Sequence, residues 1–176
     1  MSEAWPWGRF LAWPAPRGAE RRLRLEASHE ARAQLGRELD LETVQRLEAE
    51  VVVRPWLDGV EIEGRVEALV TRLCGVTLEP FDVALDEPLK VRVVPQGSPN
   101  APRAEAEIIV DLDAEDPPDE APGDGVDVSA YVVETLALAL DPFPRKPGAV
   151  FESPAATEAI SPFAALADLV KRPPSE

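Results

Sequence analysis

The sequence predicts an α+β fold: a curved antiparallel β-sheet, forming a partial barrel, packed by one main amphipathic helix. Apolar residues alternate with polar ones over residues 47–54, 60–73 and 81–95, as in strands with one buried face. Apolar residues recur at helical spacing over residues 128–140. The chain has 176 residues, of which 45% are apolar, so it is long enough for one domain with one core.

The segment 128–140 is the helix around which we expect the domain to be organised. Asp127 is placed to cap its first turn, because a carboxylate can accept the orphan backbone N–H groups. Proline at 142 ends it, since proline lacks an N–H and restricts the preceding residue. Its apolar stripe consists of Val128, Val132, Leu136 and Leu140, widened by Val133, Ala137 and Ala139.

The three alternating segments predict an antiparallel meander with one polar face. Asp58-Gly59 is a strong turn signal between the first two. Gly64 interrupts the alternation and predicts a β-bulge, and Pro88 places the third segment at an edge or a bulge.

The N-terminal part predicts shorter elements. Residues 5–13 combine aromatics with proline and glycine, as in a short edge strand or an extended arm, and residues 21–26 alternate as a strand. Ser28 predicts the start of a helix through about residue 37, with Ala31 and Leu35 facing inward. Residues 39–44 are expected to form a short helical turn or a loop.

The C-terminal half contains a proline-rich acidic segment. Residues 108–110 predict a short strand and residues 112–125 a mobile loop. Asp111 with Asp113, and Asp116 with Asp119, invite a calcium or magnesium interpretation. The glycine and glutamate spacing of an EF-hand loop is absent, so we expect a solvated loop and no metal. We assign residues 5–151 to a single domain and residues 152–176 to a flexible tail with a short helix at 163–170.

Charge and composition narrow the class of protein. The formal net charge is −15, which argues against non-specific nucleic-acid binding and favours a soluble cytoplasmic protein or a partner for basic surfaces. No signal peptide is recognisable, and the apolar window 131–140 is too short to span a membrane.

His29 and Cys74 are single residues of their types with no neighbouring catalytic partner, so we expect no enzyme. Cys74 is expected to be a small buried apolar residue.

Two groups of cations are candidate contact residues. Arg21, Arg22 and Arg24 lie near N-terminal aromatics and could hold phosphates; the alternative is an edge strand kept soluble by charge. Arg145 and Lys146 lie on a turn stiffened by prolines, which suits a phosphate or a carboxylate; the alternative is that they offset the negative end of the helix.

Three stretches carry a resemblance to a known family: residues 73–81 (LCGVTLEPF), 127–140 (DVSAYVVETLALAL) and 141–148 (DPFPRKPG). With these stretches the chain resembles the YceD family, the large ribosomal RNA subunit accumulation proteins, over about residues 20–151, and is most similar to the alphaproteobacterial form. Many relatives have a C-x-R-C-L motif, of which only Cys74 and Leu78 are present here.

The resemblance implies a non-enzymatic cytoplasmic ribosome biogenesis factor that supports 23S rRNA accumulation and large-subunit assembly. The implied partners are 23S rRNA or its precursor, a basic large-subunit ribosomal protein, or both; the alternative is an acidic adaptor or chaperone that binds protein only. No catalytic residues come with it, and we expect this chain to have no cofactor and no metal. By position it indicates a candidate surface of Glu134, Pro142, Pro144, Arg145 and Gly148.

Overall fold

A computed structural model describes residues 7–13, 20–102 and 116–151. Within these residues the chain forms seven strands and two helices. They are, in order, β1 (Phe10–Ala12), β2 (Arg21–Glu26), α1 (His29–Glu38), β3 (Thr43–Trp56), β4 (Gly59–Leu73), β5 (Pro80–Pro95), β6 (Asp119–Ala121), β7 (Gly125–Asp127) and α2 (Val128–Ala139).

The main sheet has the order β2-β3-β4-β5-β6. All of its neighbours are antiparallel except β5 and β6, which pair in parallel over three residues. The α+β class and the meander β3-β4-β5 are therefore confirmed. The described strands form an open sheet with two edges, so the predicted partial barrel is not confirmed.

The buried face of the sheet follows from the alternation of its apolar residues. Val53 on β3 is the register partner of Ile62 on β4, and both are buried. The helix α1 packs on β3 through Ala31 and Leu35, as predicted, while α2 packs on β4 and β5. Buried residues of both helices belong to one hydrophobic cluster, which fixes where α2 ends relative to the sheet.

Both predicted helix caps are present. The Ala31 amide donates to the Ser28 hydroxyl at 3.2 Å, and the Ser129 amide donates to the Asp127 carboxylate at 2.9 Å. Two residues of the predicted apolar stripe of α2 are not fully buried. Leu140 is partly buried, whereas Ala137 is exposed, so the prediction that Ala137 belongs to the stripe was wrong. Neither helix in the described ranges is long and apolar enough to cross a membrane.

The bulge predicted at Gly64 is wrong. Gly64 pairs in regular register with Val51, and the shift in register lies instead between Val44 and Arg46. A Cβ on Gly64 would lie 2.1 Å from the carbonyl oxygen of Glu50. Gly64 therefore allows the backbones of β3 and β4 to approach closely. A glycine within a strand can indicate either a close approach or a bulge, and the sequence alone does not distinguish the two.

Several boundaries also differ from the predictions. The strand β3 begins at Thr43, inside the segment expected to be a helical turn or loop. The loop predicted for residues 112–125 is interrupted by β6, and β7 begins at its last residue. Residues 112–115 of that prediction lie outside the described residues. The strand β7 pairs with β1 as a separate two-stranded sheet, which confirms the edge-strand interpretation of residues 5–13 for Phe10–Ala12. The predictions for residues 108–110 and 152–176 lie outside the described residues.

Candidate partner-binding surface

The segment after α2, residues 141–148, forms a fixed turn that we call the α2 turn. Its first bend is closed locally, because the Asp141 carboxylate accepts the amide of Phe143 at 2.8 Å. Its end has Gly148 at a φ of 79°, a left-handed conformation that suits glycine. Prolines restrict the backbone between these points. The predicted stiffness of this turn therefore has a local structural basis.

The α2 turn is also attached to the connection between β4 and β5, residues 74–79, which we call the thiol loop. The Gly75 amide donates to the Pro144 carbonyl oxygen at 2.8 Å. Lys146 Nζ lies 2.9 Å from the Glu79 carboxylate. The guanidinium of Arg72, at the end of β4, donates to the Asp141 carbonyl oxygen. Three contacts thus hold two distant parts of the chain together.

The two cations of the α2 turn differ in their surroundings. Arg145 is exposed and makes no hydrogen bond or ion pair with any described residue. Lys146 pairs with Glu79, but both side chains remain partly exposed, at 43% and 59%. This is a surface ion pair rather than an internal one, so the turn still presents positive charge to solvent. Pro142 and Gly148 are exposed beside Arg145, and Pro144 is half-buried.

The arginines of β2 do not join this surface. Arg21 is the register partner of Val53 near the β3–β4 turn, whereas the thiol loop lies at the opposite end of β4. Arg24 lies 3.3 Å from Glu48 and 3.6 Å from Glu50, and Arg22 lies 3.3 Å from Glu20. Carboxylates thus offset two of the three predicted contact residues, and among the described residues Arg21 has none.

The same arrangement continues across the polar face of the sheet. Cations and carboxylates form cross-strand ion pairs there, as in Arg54–Glu63 at 2.9 Å and Arg65–Asp86 at 2.7 Å. Exposed pairs of this kind contribute little stability. They do make the face electrically mixed rather than basic. A polyanion would therefore meet no continuous row of cations along this part of the sheet.

Glu134 lies apart from the α2 turn, near the middle of α2. It lines a cavity of about 620 Å³ between α2 and β5 together with Lys90, Arg92 and Tyr131. Burial and the negative charges of Asp119 and Glu134 raise the pKa of the Tyr131 phenol. Glu134 is thus a groove residue, and the structure does not bring it together with Arg145.

Cys74 is buried, as predicted, but it also organises the thiol loop. Its Sγ accepts the amides of Val76 and Thr77 at 3.4 and 3.5 Å. Hydrogen bonds from the Thr77 side chain and from backbone amides lower the pKa of the thiol to about 6, although complete burial on its own would raise it. The motif Cys-Gly-Val-Thr contains two of the donor residues, Val76 and Thr77, but its spacing alone does not indicate the direction of their donors. The Lys146 amide comes from the α2 turn, so sequence reasoning could not connect it to Cys74.

The remaining candidates for chemistry stay separate. His29 lies in the first turn of α1, beside Arg32 and Arg37, and Cys74 follows β4. In the described ranges, His, Cys, Asp and Glu side chains form no group of three that could hold a metal ion. Asp111 and Asp113 fall outside those ranges.

Sequence reasoning missed a set of exposed apolar side chains on the thiol loop and around the α2 turn. We call this set the apolar patch; it comprises Leu78, Phe143, Val150 and Phe151, which are 74%, 78%, 74% and 69% exposed. The available signal was that Phe143, Val150 and Phe151 lie among prolines and glycine, outside any helical or strand periodicity. Residues in such positions have no regular element to bury them.

The chain matches the model of a known protein family. The family model described as "Large ribosomal RNA subunit accumulation protein YceD" matches residues 62–170. The match begins in β4 and includes β5, α2, the thiol loop and the α2 turn. No curated protein matches the chain, and no solved structure matches it.

Proposed function

The chain belongs to the YceD family, and from this membership we propose that it supports 23S rRNA accumulation and assembly of the large ribosomal subunit. The family name itself suggests a role in accumulation of large-subunit ribosomal RNA. In our proposal the protein acts in the cytoplasm by binding, without catalysis. Its direct partners are 23S rRNA or its precursor, a basic large-subunit ribosomal protein, or both.

One observation carries the binding role: the α2 turn holds Arg145 exposed on a backbone fixed at both ends. The Gly75–Pro144 and Arg72–Asp141 hydrogen bonds order this turn before any partner arrives. A surface that is already ordered loses less conformational entropy on binding. The turn is therefore a suitable contact site for a macromolecule.

The charge distribution supports an adaptor with two kinds of surface. A net charge of −15 attracts basic proteins over a distance and increases their rate of association. Contact with RNA would fall to Arg145 and Arg21, because Arg22, Arg24 and Lys146 already have carboxylate partners. In this proposal the acidic surfaces bind a basic ribosomal protein and the cations reach the RNA.

The same ion pairs favour a second candidate, an acidic adaptor or chaperone that binds protein without touching RNA. A cation whose charge is already offset releases fewer counterions from RNA. The two candidates differ in what remains bound after nuclease treatment. Partners retained in a nuclease-treated, salt-dependent pull-down favour the protein-only adaptor, whereas partners lost with the RNA favour the first candidate.

The proposed role is tested by depleting the protein and measuring mature 23S rRNA relative to 16S rRNA. We expect 23S rRNA to fall, wild-type protein to restore it, and Arg145→Glu to restore it less. Arg37→Glu is the matched control, because Arg37 is also exposed and has no ion pair with a described residue. An unchanged 23S to 16S ratio after depletion would overturn the proposed function.

A further inference from the structure

The apolar patch consists of exposed apolar side chains on the thiol loop, the α2 turn and the three residues that follow the turn. In the described ranges eight large apolar side chains are exposed, and four of them lie on these segments. The others include Phe10 on β1 and Leu57 in the β3–β4 turn. Scattered exposed apolar residues need no explanation, but a group on adjoining segments indicates an interaction site.

The segments that carry the patch are joined by hydrogen bonds. Leu78 belongs to the thiol loop, and Phe143 precedes Pro144, whose carbonyl oxygen accepts the Gly75 amide at 2.8 Å. The Ala149 amide donates to the Lys146 carbonyl oxygen at 3.0 Å, which directs the chain toward Val150. The patch is therefore part of the same fixed structure as Arg145.

The backbone of Leu78 shows that this side chain is held outward. Its φ is 57°, in the left-handed region where glycine is favoured and a leucine is strained. The Leu78 amide donates to the Cys74 carbonyl oxygen and the Cys74 amide donates to the Glu79 carbonyl oxygen, both at 2.9 Å. The loop thus holds an apolar side chain in solvent by a strained conformation.

We propose that the apolar patch docks a basic protein. This inference rests on the proposed function and names the surface of the chain that the protein partner covers. Aromatic side chains such as phenylalanine are enriched in the cores of protein interfaces. The partner is basic because it approaches a chain with a net charge of −15.

A protein fits the patch better than single-stranded RNA does. RNA-binding surfaces combine aromatic side chains with a groove of cations that follows the phosphates. Beside the patch, Arg145 is unpaired with any described residue, while Lys146 is already paired with Glu79. One unpaired cation on an acidic chain gives little attraction for a polyanion. The free energy gained by burying apolar side chains does not depend on such a cation.

The occupant is identified by placing a photoreactive amino acid at position 143 of the full chain. The probes are large-subunit ribosomal proteins freed of rRNA and, separately, 23S rRNA freed of protein. We expect position 143 to crosslink to a basic ribosomal protein, and position 10, which is 57% exposed on β1, not to do so. A crosslink only to RNA, only to residues 152–176 of the same chain, or only to a second copy would overturn the proposal.

Affinity for the crosslinked protein gives the second test. We expect Phe143→Ala to weaken binding about 30-fold, as for an aromatic residue at the centre of an interface. Leu78→Ala should also weaken it, while Leu57→Ala, at an equally strained φ of 52° and 66% exposed, should change it less than about twofold. Equal effects of Leu78→Ala and Leu57→Ala would contradict docking at the patch.

The failures of this proposal and of the proposed function are distinguishable. If depletion lowers 23S rRNA and Phe143→Ala restores it fully, docking at the patch is wrong while the role in 23S rRNA accumulation stands. If depletion leaves 23S rRNA unchanged, the role is wrong, and the crosslinking still reports whether the patch binds protein.

Discussion

The amide of Gly75 donates a 2.8 Å hydrogen bond to the carbonyl oxygen of Pro144, and this bond joins the thiol loop to the α2 turn. Gly75 lies in the loop between β4 and β5, and Pro144 follows the main helix, so the bond connects the sheet to the end of α2. The orientation of Arg145, the next residue after Pro144, therefore depends on a loop that is distant in sequence.

Replacing Gly75 with proline should loosen this junction. Proline removes the amide donor, and loss of one such hydrogen bond should lower the free energy of unfolding by about 1 kcal/mol in urea denaturation. Gly75→Ala is the control, because its Cβ would lie 3.5 Å from the Pro144 carbonyl oxygen, an ordinary contact. If both variants lose the same stability, the hydrogen bond is not the cause.

Gly64→Ala should destabilise the centre of the sheet. The new Cβ would lie 2.1 Å from the Glu50 carbonyl oxygen and 2.7 Å from Val51 Cα, so two strands must separate. We expect a loss of about 3 kcal/mol in the free energy of unfolding, measured by chemical denaturation. Gly36→Ala in α1 meets its nearest atom at 3.5 Å and should gain up to about 1 kcal/mol from helix propensity. A Gly64→Ala protein as stable as wild type would contradict the close approach of β3 and β4.

Cys74 should make stability depend on pH between neutral and alkaline conditions. The folded thiol has a pKa of about 6 against its ordinary value of 9.0, so the folded state holds the thiolate where the unfolded state holds the thiol. The stabilisation is therefore complete above the unfolded pKa and is lost as pH falls through the folded pKa. We expect the difference in unfolding free energy between wild type and Cys74→Ala to shrink from pH 9 to pH 6.

Thiolate absorbance checks the same group directly, since the chain has a single cysteine. Thr77→Val removes the hydroxyl donor and should raise the pKa of Cys74. A wild-type thiol that titrates at the value of a free cysteine would show that the donors do not stabilise the thiolate.

The regular elements were predictable because their apolar periods are long and their caps are local. Ser28 and Asp127 each bond to an amide within three residues, so the sequence nearby contains all the information. The strands β6 and β7 have three residues each and depend on pairing with β5 and β1. Segments that short have no period of their own, so only the tertiary structure determines them.

The candidate surface was predictable only in part, for the same physical reason. Stiffness of the α2 turn follows from its prolines and Asp141, which are adjacent in sequence. The partners of Arg24 and Lys146 lie on other elements, Glu48 and Glu79, so the sequence showed cations where the structure shows ion pairs. The sequence shows which residues carry a charge. The charge that a partner meets at the surface also depends on which residues the strand register and the loops bring together.

The RNA contact in the proposed function depends on the cations that these ion pairs leave available. Charge reversal of Arg21, Arg22, Arg145 and Lys146 together should weaken binding to 23S rRNA and reduce its dependence on salt. Because Arg22 and Lys146 already face Glu20 and Glu79, reversal of Arg21 and Arg145 alone should account for most of the effect. Each lost phosphate contact lowers the slope of log affinity against log salt by about 0.7 for single strands.

The measurement is a titration of rRNA fragments at several salt concentrations, with reversal of Arg22 and Lys146 as the matched control. RNA affinity that is unchanged in the fourfold variant would rule out these contacts and leave the protein-only adaptor as the explanation for the role in 23S rRNA accumulation.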